Sequence, residues 1–185
     1  MVYYTGDIHG EPNKILYYVS EYNLTSEDVI VILGDVGVNY FGNDNGDKKR
    51  KKTLNKCNVP ILCIHGNQSI SSYKEILWHG GTVYIEEEFP KLLFAKDGEI
   101  YDLDGKKAIA IGGAYSVDKF YHLSKGMKWF ADEQPSEETK MCVIDNLDAV
   151  NWNIDIVLTH TCPAKYIPTE TFLPMIDQST VDNST

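Results

Sequence analysis

Polar and apolar positions along this chain fall into two alternating patterns. Short continuous apolar runs, VIVIL at 29–33, ILCI at 61–64, AIAI at 108–111 and IVL at 156–158, read as strands covered on both faces. Between them apolar residues recur at helical spacing. Pro12 suits the first turn of a helix carrying Ile15, Leu16 and Val19 on one stripe. Ser136 suits the cap of another, with Met141, Ile144 and Leu147 in line. Strands alternating with helices predict an α/β fold with a largely parallel sheet.

The middle of the chain departs from that rhythm. The stretch KLLFAKDGEIYDLDGKKAIAIGG holds turn signals at Asp97-Gly98 and Asp104-Gly105 between apolar or alternating segments, which predicts a β-meander. The expected architecture is therefore a two-sheet sandwich flanked by helices. With 185 residues, 43% of them hydrophobic, the chain is long enough for one well-buried domain, expected to span 1–185. The tail after VLTHTCP is proline-bearing, poor in core residues and ends on Asn183-Ser184-Thr185. It reads either as a disordered end or as a fold that would naturally continue, leaving the domain incomplete at its C-terminus.

Charge and cysteines narrow the function classes. A net charge of −10 argues against a protein that grips nucleic acid through its phosphates, since that binding needs clustered Lys and Arg. The one basic cluster, KKRKK at 48–52, reads as a solvated helix face, with attraction of anionic substrates as the alternative. Cys57, Cys63, Cys142 and Cys162 show no C-x-x-C spacing and are expected to be reduced. There is no leader-like start and no apolar run of the ~18 residues needed to span a bilayer. A cytoplasmic protein that does not engage a membrane is the expectation.

The chemistry gathers where apolar runs end. Asp7-Ile8-His9 follows the first strand, Gly34-Asp35 the second, Gly66-Asn67 the third and His160 the last. Ligand crevices in α/β sheets lie beyond the carboxyl ends of strands, so residues distant in sequence are expected to converge there. Alternation places Asp7 and His9 on one side of an extended segment, so that both can face a single ion. Each residue alone has a bland reading as a turn former, cap or core histidine. Together, carboxylates and imidazoles at four strand ends suit a borderline divalent ion such as Mn, Fe, Zn, Co or Ni. A nucleotide-binding P-loop or a Rossmann fingerprint does not occur.

The segments GDIHG, LGD, HGN and LTH, with IGGAYSVDK and DEQPS, make the sequence similar to the calcineurin-like metallophosphoesterases, in particular a small microbial branch. The resemblance implies a four-layer αββα domain and metal-dependent phosphoester hydrolysis. Asp7 and His9 would hold one metal, Asp35 would bridge both, and Asn67 and His160 would hold the second, with manganese favoured. Asn67 would also touch the substrate, with His122 and Tyr115 as further candidates for substrate binding. A metal-bridging hydroxide would attack phosphorus, with Asp35, Asn67 and the residue at 68 as the catalytic positions. The substrate would be a phosphorylated small molecule or a phosphoprotein.

Two departures from the family pattern stand out. Gln68 occupies the place of a histidine that donates a proton to the leaving oxygen, and no G-H-x-H follows His160. Under-occupied metals are then expected, and the alternative is a weak or inactive relative that binds metal, nucleotide or protein. Among the neighbouring residues, His65 reads as structural or as a support behind the site, and His79 in WHGG as a turn residue. Asp118 is a possible cleft residue, while Trp129 and Phe130 read as a core anchor.

Overall fold

The computed structural model describes residues 1–39, 45–65, 73–116, 119–126 and 133–166. In chain order these form β1 (Val2–Thr5), α1 (Pro12–Glu21), β2 (Val29–Ile32), α2 (Asn45–Leu54), β3 (Ile61–Cys63), β4 (Lys74–Trp78) and β5 (Gly81–Ile85). There follow β6 (Leu92–Ala95), β7 (Ile100–Leu103), β8 (Lys106–Ile111), α3 (Lys119–Ser124), α4 (Glu137–Ala149) and β9 (Ile156–Thr159).

Alternation along the buried strands builds the layers. Ile30 and Ile32 face a cluster that includes Ile15 of α1 and Leu54 of α2. Val29 and Val31, on the opposite face, pack with Tyr101, Leu103, Ala108 and Leu158. One sheet therefore has helices on one side and a second sheet on the other. The first sheet is six-stranded in the order β1-β2-β3-β6-β5-β4, and the second is three-stranded, β7-β8-β9. The strands β1, β2, β3 and β6 run parallel, as do β8 and β9. Tyr101 ties the sheets together: fully buried, its hydroxyl donates to the Thr82 carbonyl at 2.7 Å and accepts from the Lys96 amide at 3.0 Å. The expected sandwich flanked by helices is thus present.

The expected meander is present only in part. Asp104-Gly105 closes the β7–β8 hairpin, but β6 stays in the first sheet and Asp97-Gly98 carries the chain across to the second. That crossing is held by Gly98 N–H donating to the Ala110 carbonyl at 2.8 Å and by the Asp97 carboxylate accepting from Gly112 N–H at 2.7 Å. The β4–β5 hairpin was not expected; Glu75 and Tyr84 pair across it around a His79-Gly80 turn. Ser136 caps α4 as read from the sequence, accepting from Thr139 N–H at 3.1 Å. The buried residue of that helix is Val143, whereas Met141 and Ile144 are 63% and 49% exposed. The helix is anchored through Asn146, which donates to the Gly98 carbonyl at 2.9 Å, and this sets the face it buries.

The basic run is not a purely solvated face. Lys51 is 1% exposed and paired with Glu86, and Asp47, fully buried, pairs with Arg50 at 3.3 Å. Burial and the Glu86 carboxylate push the Tyr73 phenol up, and Asn39 donates to that phenol oxygen at 2.7 Å. This polar network joins α2 to the segment after β2. All four cysteines are free thiols, and burial pushes the Cys63 thiol up to about 12. No described helix is long and apolar enough to cross a membrane. Removing one partner of a buried ion pair strands the other charge, so Lys51→Ala is expected to cost ~3–5 kcal/mol in urea unfolding. The exposed neighbour Lys52→Ala is expected to shift stability by no more than ~0.5 kcal/mol; equal effects would contradict the buried pair.

Candidate metal centre

Two loops at the carboxyl ends of β1 and β2 are locked together by their backbones. His9 N–H donates to the Asp35 carbonyl at 3.0 Å and Gly10 N–H to the Val36 carbonyl at 2.9 Å. The contact is close enough that a Cβ on Gly37 would lie 2.4 Å from the Gly10 nitrogen. Both loops turn through the left-handed region at non-glycine residues, with φ of 45° at His9 and 38° at Asp35. Such backbone is costly for residues with a Cβ and concentrates at functional sites. It also corrects one expectation: β1 ends at Thr5, so Asp7 and His9 are not neighbours on one side of an extended strand. The turn, not strand alternation, brings His9 Nε2 to 3.6 Å from Asp7 Oδ2.

The ring of His160 enters from the end of β9 and lies directly over Gly34. A Cβ on Gly34 would fall 2.0 Å from His160 Nδ1, and this glycine has a φ of +94°. His160 Nδ1 is 2.8 Å from the Leu33 carbonyl. A carbonyl only accepts, so Nδ1 carries the proton and Nε2 presents a lone pair, the orientation of a metal-binding imidazole. That Nε2 lies 3.8 Å from Asp35 Oδ1, while Asp7 Oδ1 is 3.5 Å from Nδ1.

Asp7, Asp35 and His160 bring their ligand atoms within 4.8 Å of one another. The His9 ring stands at their margin, 70% exposed, with Nδ1 4.0 Å from Asp35 Oδ2. Asp35 Oδ1 is buried and has no hydrogen-bond partner among the described residues. A buried carboxylate oxygen left without a donor is expensive, and a cation removes that cost. Two carboxylates and imidazole nitrogen form a hard-to-borderline donor set, which fits a divalent ion of the Mn to Zn series.

Other sequence-read residues fall elsewhere. Asn67, Gln68, Asp118, Trp129 and Phe130, and the side chain of His122, lie outside the described residues. Tyr115 sits half-buried on the loop after β8, with the Lys119 ammonium 5.8 Å from its ring centroid. His65 lies 3.8 Å from Asp97 and its carbonyl accepts from Gly113 N–H at 2.7 Å, so it braces the β3 and β8 loops. His79 has Nδ1 2.8 Å from the Asp102 carbonyl and packs on Trp78, the turn role expected of it. The residue missed was Arg50: a Cβ on Gly10 would meet its Nε at 2.8 Å. Asp47 three residues earlier was the available signal, since i,i+3 opposite charges fix a side chain's direction on a helix.

The family model for calcineurin-like phosphoesterase matches residues 1–173. The chain belongs to that family. Neither a curated protein nor a solved structure matches it. Within a calcineurin-like phosphoesterase the cluster at the strand ends is a candidate metal site, and divalent metals are the cofactors the family generally uses. Gly34→Ala, by displacing the His160 ring, is expected to weaken Mn²⁺ binding ~10- to 100-fold, read by the free-Mn²⁺ electron paramagnetic resonance signal. Unchanged binding with a native circular dichroism spectrum would contradict the placement of His160.

Proposed function

We propose that this calcineurin-like phosphoesterase hydrolyses phosphoesters with two divalent ions, manganese favoured, held by Asp7, His9, Asp35 and His160 together with Asn67. The observation that supports this most strongly is the buried, unpartnered Oδ1 of Asp35 beside Asp7 and His160. Ions bound there would stabilise charge on the phosphoryl oxygens and make a water acidic enough to attack near neutral pH. The protein's own groups do the arranging. The Leu33 carbonyl holds His160 in one tautomer and the interlocked His9-Gly10 and Asp35-Val36 backbones fix the loops that carry the carboxylates; the family resemblance would give the Asn67 amide the orienting of a phosphate oxygen. The described thiols are free, in keeping with a cytoplasmic enzyme acting on a phosphorylated small molecule or a phosphoprotein.

Gln68 decides which esters suffer. A glutamine amide has no proton to give a departing oxygen, and absence of a general acid typically costs ~10²- to 10⁴-fold in rate. Esters with poor leaving groups bear that cost, whereas aryl or anhydride-like phosphates leave without help. The second reading, a weakly active relative whose scaffold serves binding, also draws on Gln68, and one experiment separates the two. Elemental analysis after Mn loading is paired with turnover of p-nitrophenyl phosphate and of glycerol phosphate. Bound metal with turnover of the aryl ester supports the hydrolase; bound metal without turnover supports the binding reading; no bound metal contradicts both the metal site and the hydrolase. Gln68→His is expected to raise glycerol phosphate turnover ~10²-fold and to move p-nitrophenyl phosphate little. Equal gains on both would contradict a general-acid role at position 68.

A further inference from the structure

Three side chains form the cluster at the strand ends, Asp7, Asp35 and His160, and His9 stands at its margin. The His9 ring lies 3.6 Å from Asp7 and 4.0 Å from Asp35. Both separations exceed a hydrogen bond, so neither carboxylate fixes the ring. Its placement depends instead on the loop that carries it.

That loop is closed in from two directions at Gly10. A Cβ there would lie 2.8 Å from Arg50 Nε and 3.0 Å from Arg50 Cδ, and 3.0 Å from the Gly37 carbonyl oxygen. The residue after His9 is therefore held between a side chain of α2 and the loop after β2. The φ of +72° at Gly10 adds a second reason for glycine at this position.

Arg50 is itself aimed. Asp47, three residues earlier on α2, is fully buried, and Arg50 Nη1 lies 3.3 Å from its Oδ1. A carboxylate taken out of water needs a matched cation. The planar guanidinium can face that carboxylate with one nitrogen while another nitrogen of the same fork lies against Gly10, which the single ammonium of a lysine cannot do.

Resting on the cation site described above, we infer that Arg50 is a positioning residue for it: Arg50 presses Gly10 onto the loop after β2 and so holds His9 where its imidazole can join Asp7 and Asp35 on an ion. A role through charge alone has the opposite sign. A guanidinium near a cation site repels the cation, so its removal would tighten binding, whereas removal of a strut loosens it.

The test is the Mn²⁺ affinity of the full chain, read from the electron paramagnetic resonance signal of free Mn²⁺. Arg50→Ala is expected to weaken binding about tenfold. In a His9→Ala background the same substitution is expected to have no further effect, since a residue acting through His9 then has nothing to position. Arg50→Lys, which keeps the charge and loses the fork, is expected to bind as weakly as Arg50→Ala. Because Arg50→Ala leaves the buried Asp47 charge behind, Asp47→Asn combined with Arg50→Met, which removes both charges of the pair, repeats the measurement with the fold checked by circular dichroism; the same loss is expected. In the metal-free protein, Arg50→Ala is expected to shift the ring NMR signals of His9 and to leave those of His160 in place, a pattern that a general loss of stability would not produce. Unchanged or tighter Mn²⁺ binding in the folded variants, or an equal loss with and without His9, would overturn the positioning role and leave the cation site intact. No Mn²⁺ bound by the unsubstituted protein would remove the site and this inference together.

Discussion

The buried Oδ1 of the Asp35 carboxylate is the constraint around which the surrounding structure is arranged. It has no hydrogen-bond partner among the described residues, and leaving such an acceptor dry costs ~1–3 kcal/mol, more when it is charged. The residue also occupies left-handed backbone, a further cost of ~1–3 kcal/mol. A fold tolerates both only when the rest of the structure over-determines the position. Here that over-determination is visible: the His9-Gly10 backbone bonds to Asp35-Val36, the His160 ring closes over Gly34, and the wholly buried β2 fixes the end from which the Asp35 loop departs. Local strain of this kind is stability exchanged for a site able to take up a cation.

The same logic reaches back into α2. Buried charge on Asp47 and Lys51 is unusual for a helix whose sequence reads as a basic run, yet each is matched, by Arg50 and by Glu86. Arg50 thereby comes to rest against Gly10, on the loop that carries His9. The helix is a backstop to the metal loops as well as a cover for the core. A shift in α2 would be transmitted to His9 through contacts that leave no room for a side chain at Gly10.

Much of the fold was legible because β2 and β3 are buried on both faces and therefore spell continuous apolar runs, whereas the run in β9 leaves Val157 57% exposed. The convergence of Asp7, Asp35 and His160 was legible for a related reason, since parallel strands deliver their carboxyl ends to one edge. What the text could not carry was conformation that depends on contacts distant in sequence. Alternation suggested that Asp7 and His9 share a strand face, but the left-handed turn at His9 comes from bonds to the Asp35 loop. The Met141 and Ile144 stripe looked like a buried face, but Asn146 and Val143 dock on Gly98 and set another. The Asp97-Gly98 turn signal was real, although a turn says nothing about which sheet receives the next strand. The contact of Tyr3 with Tyr18 was unreadable for the same reason, because the two meet only once α1 packs beside β1.

The arrangement around Asp35 stands or falls on whether the loops after β1, β2 and β9 hold a cation between them. Anomalous diffraction from a Mn²⁺-soaked crystal, collected at the manganese edge, tests it most directly. A peak in contact with Asp7, Asp35 and His160 Nε2 is expected. The absence of a peak at these three residues would contradict it.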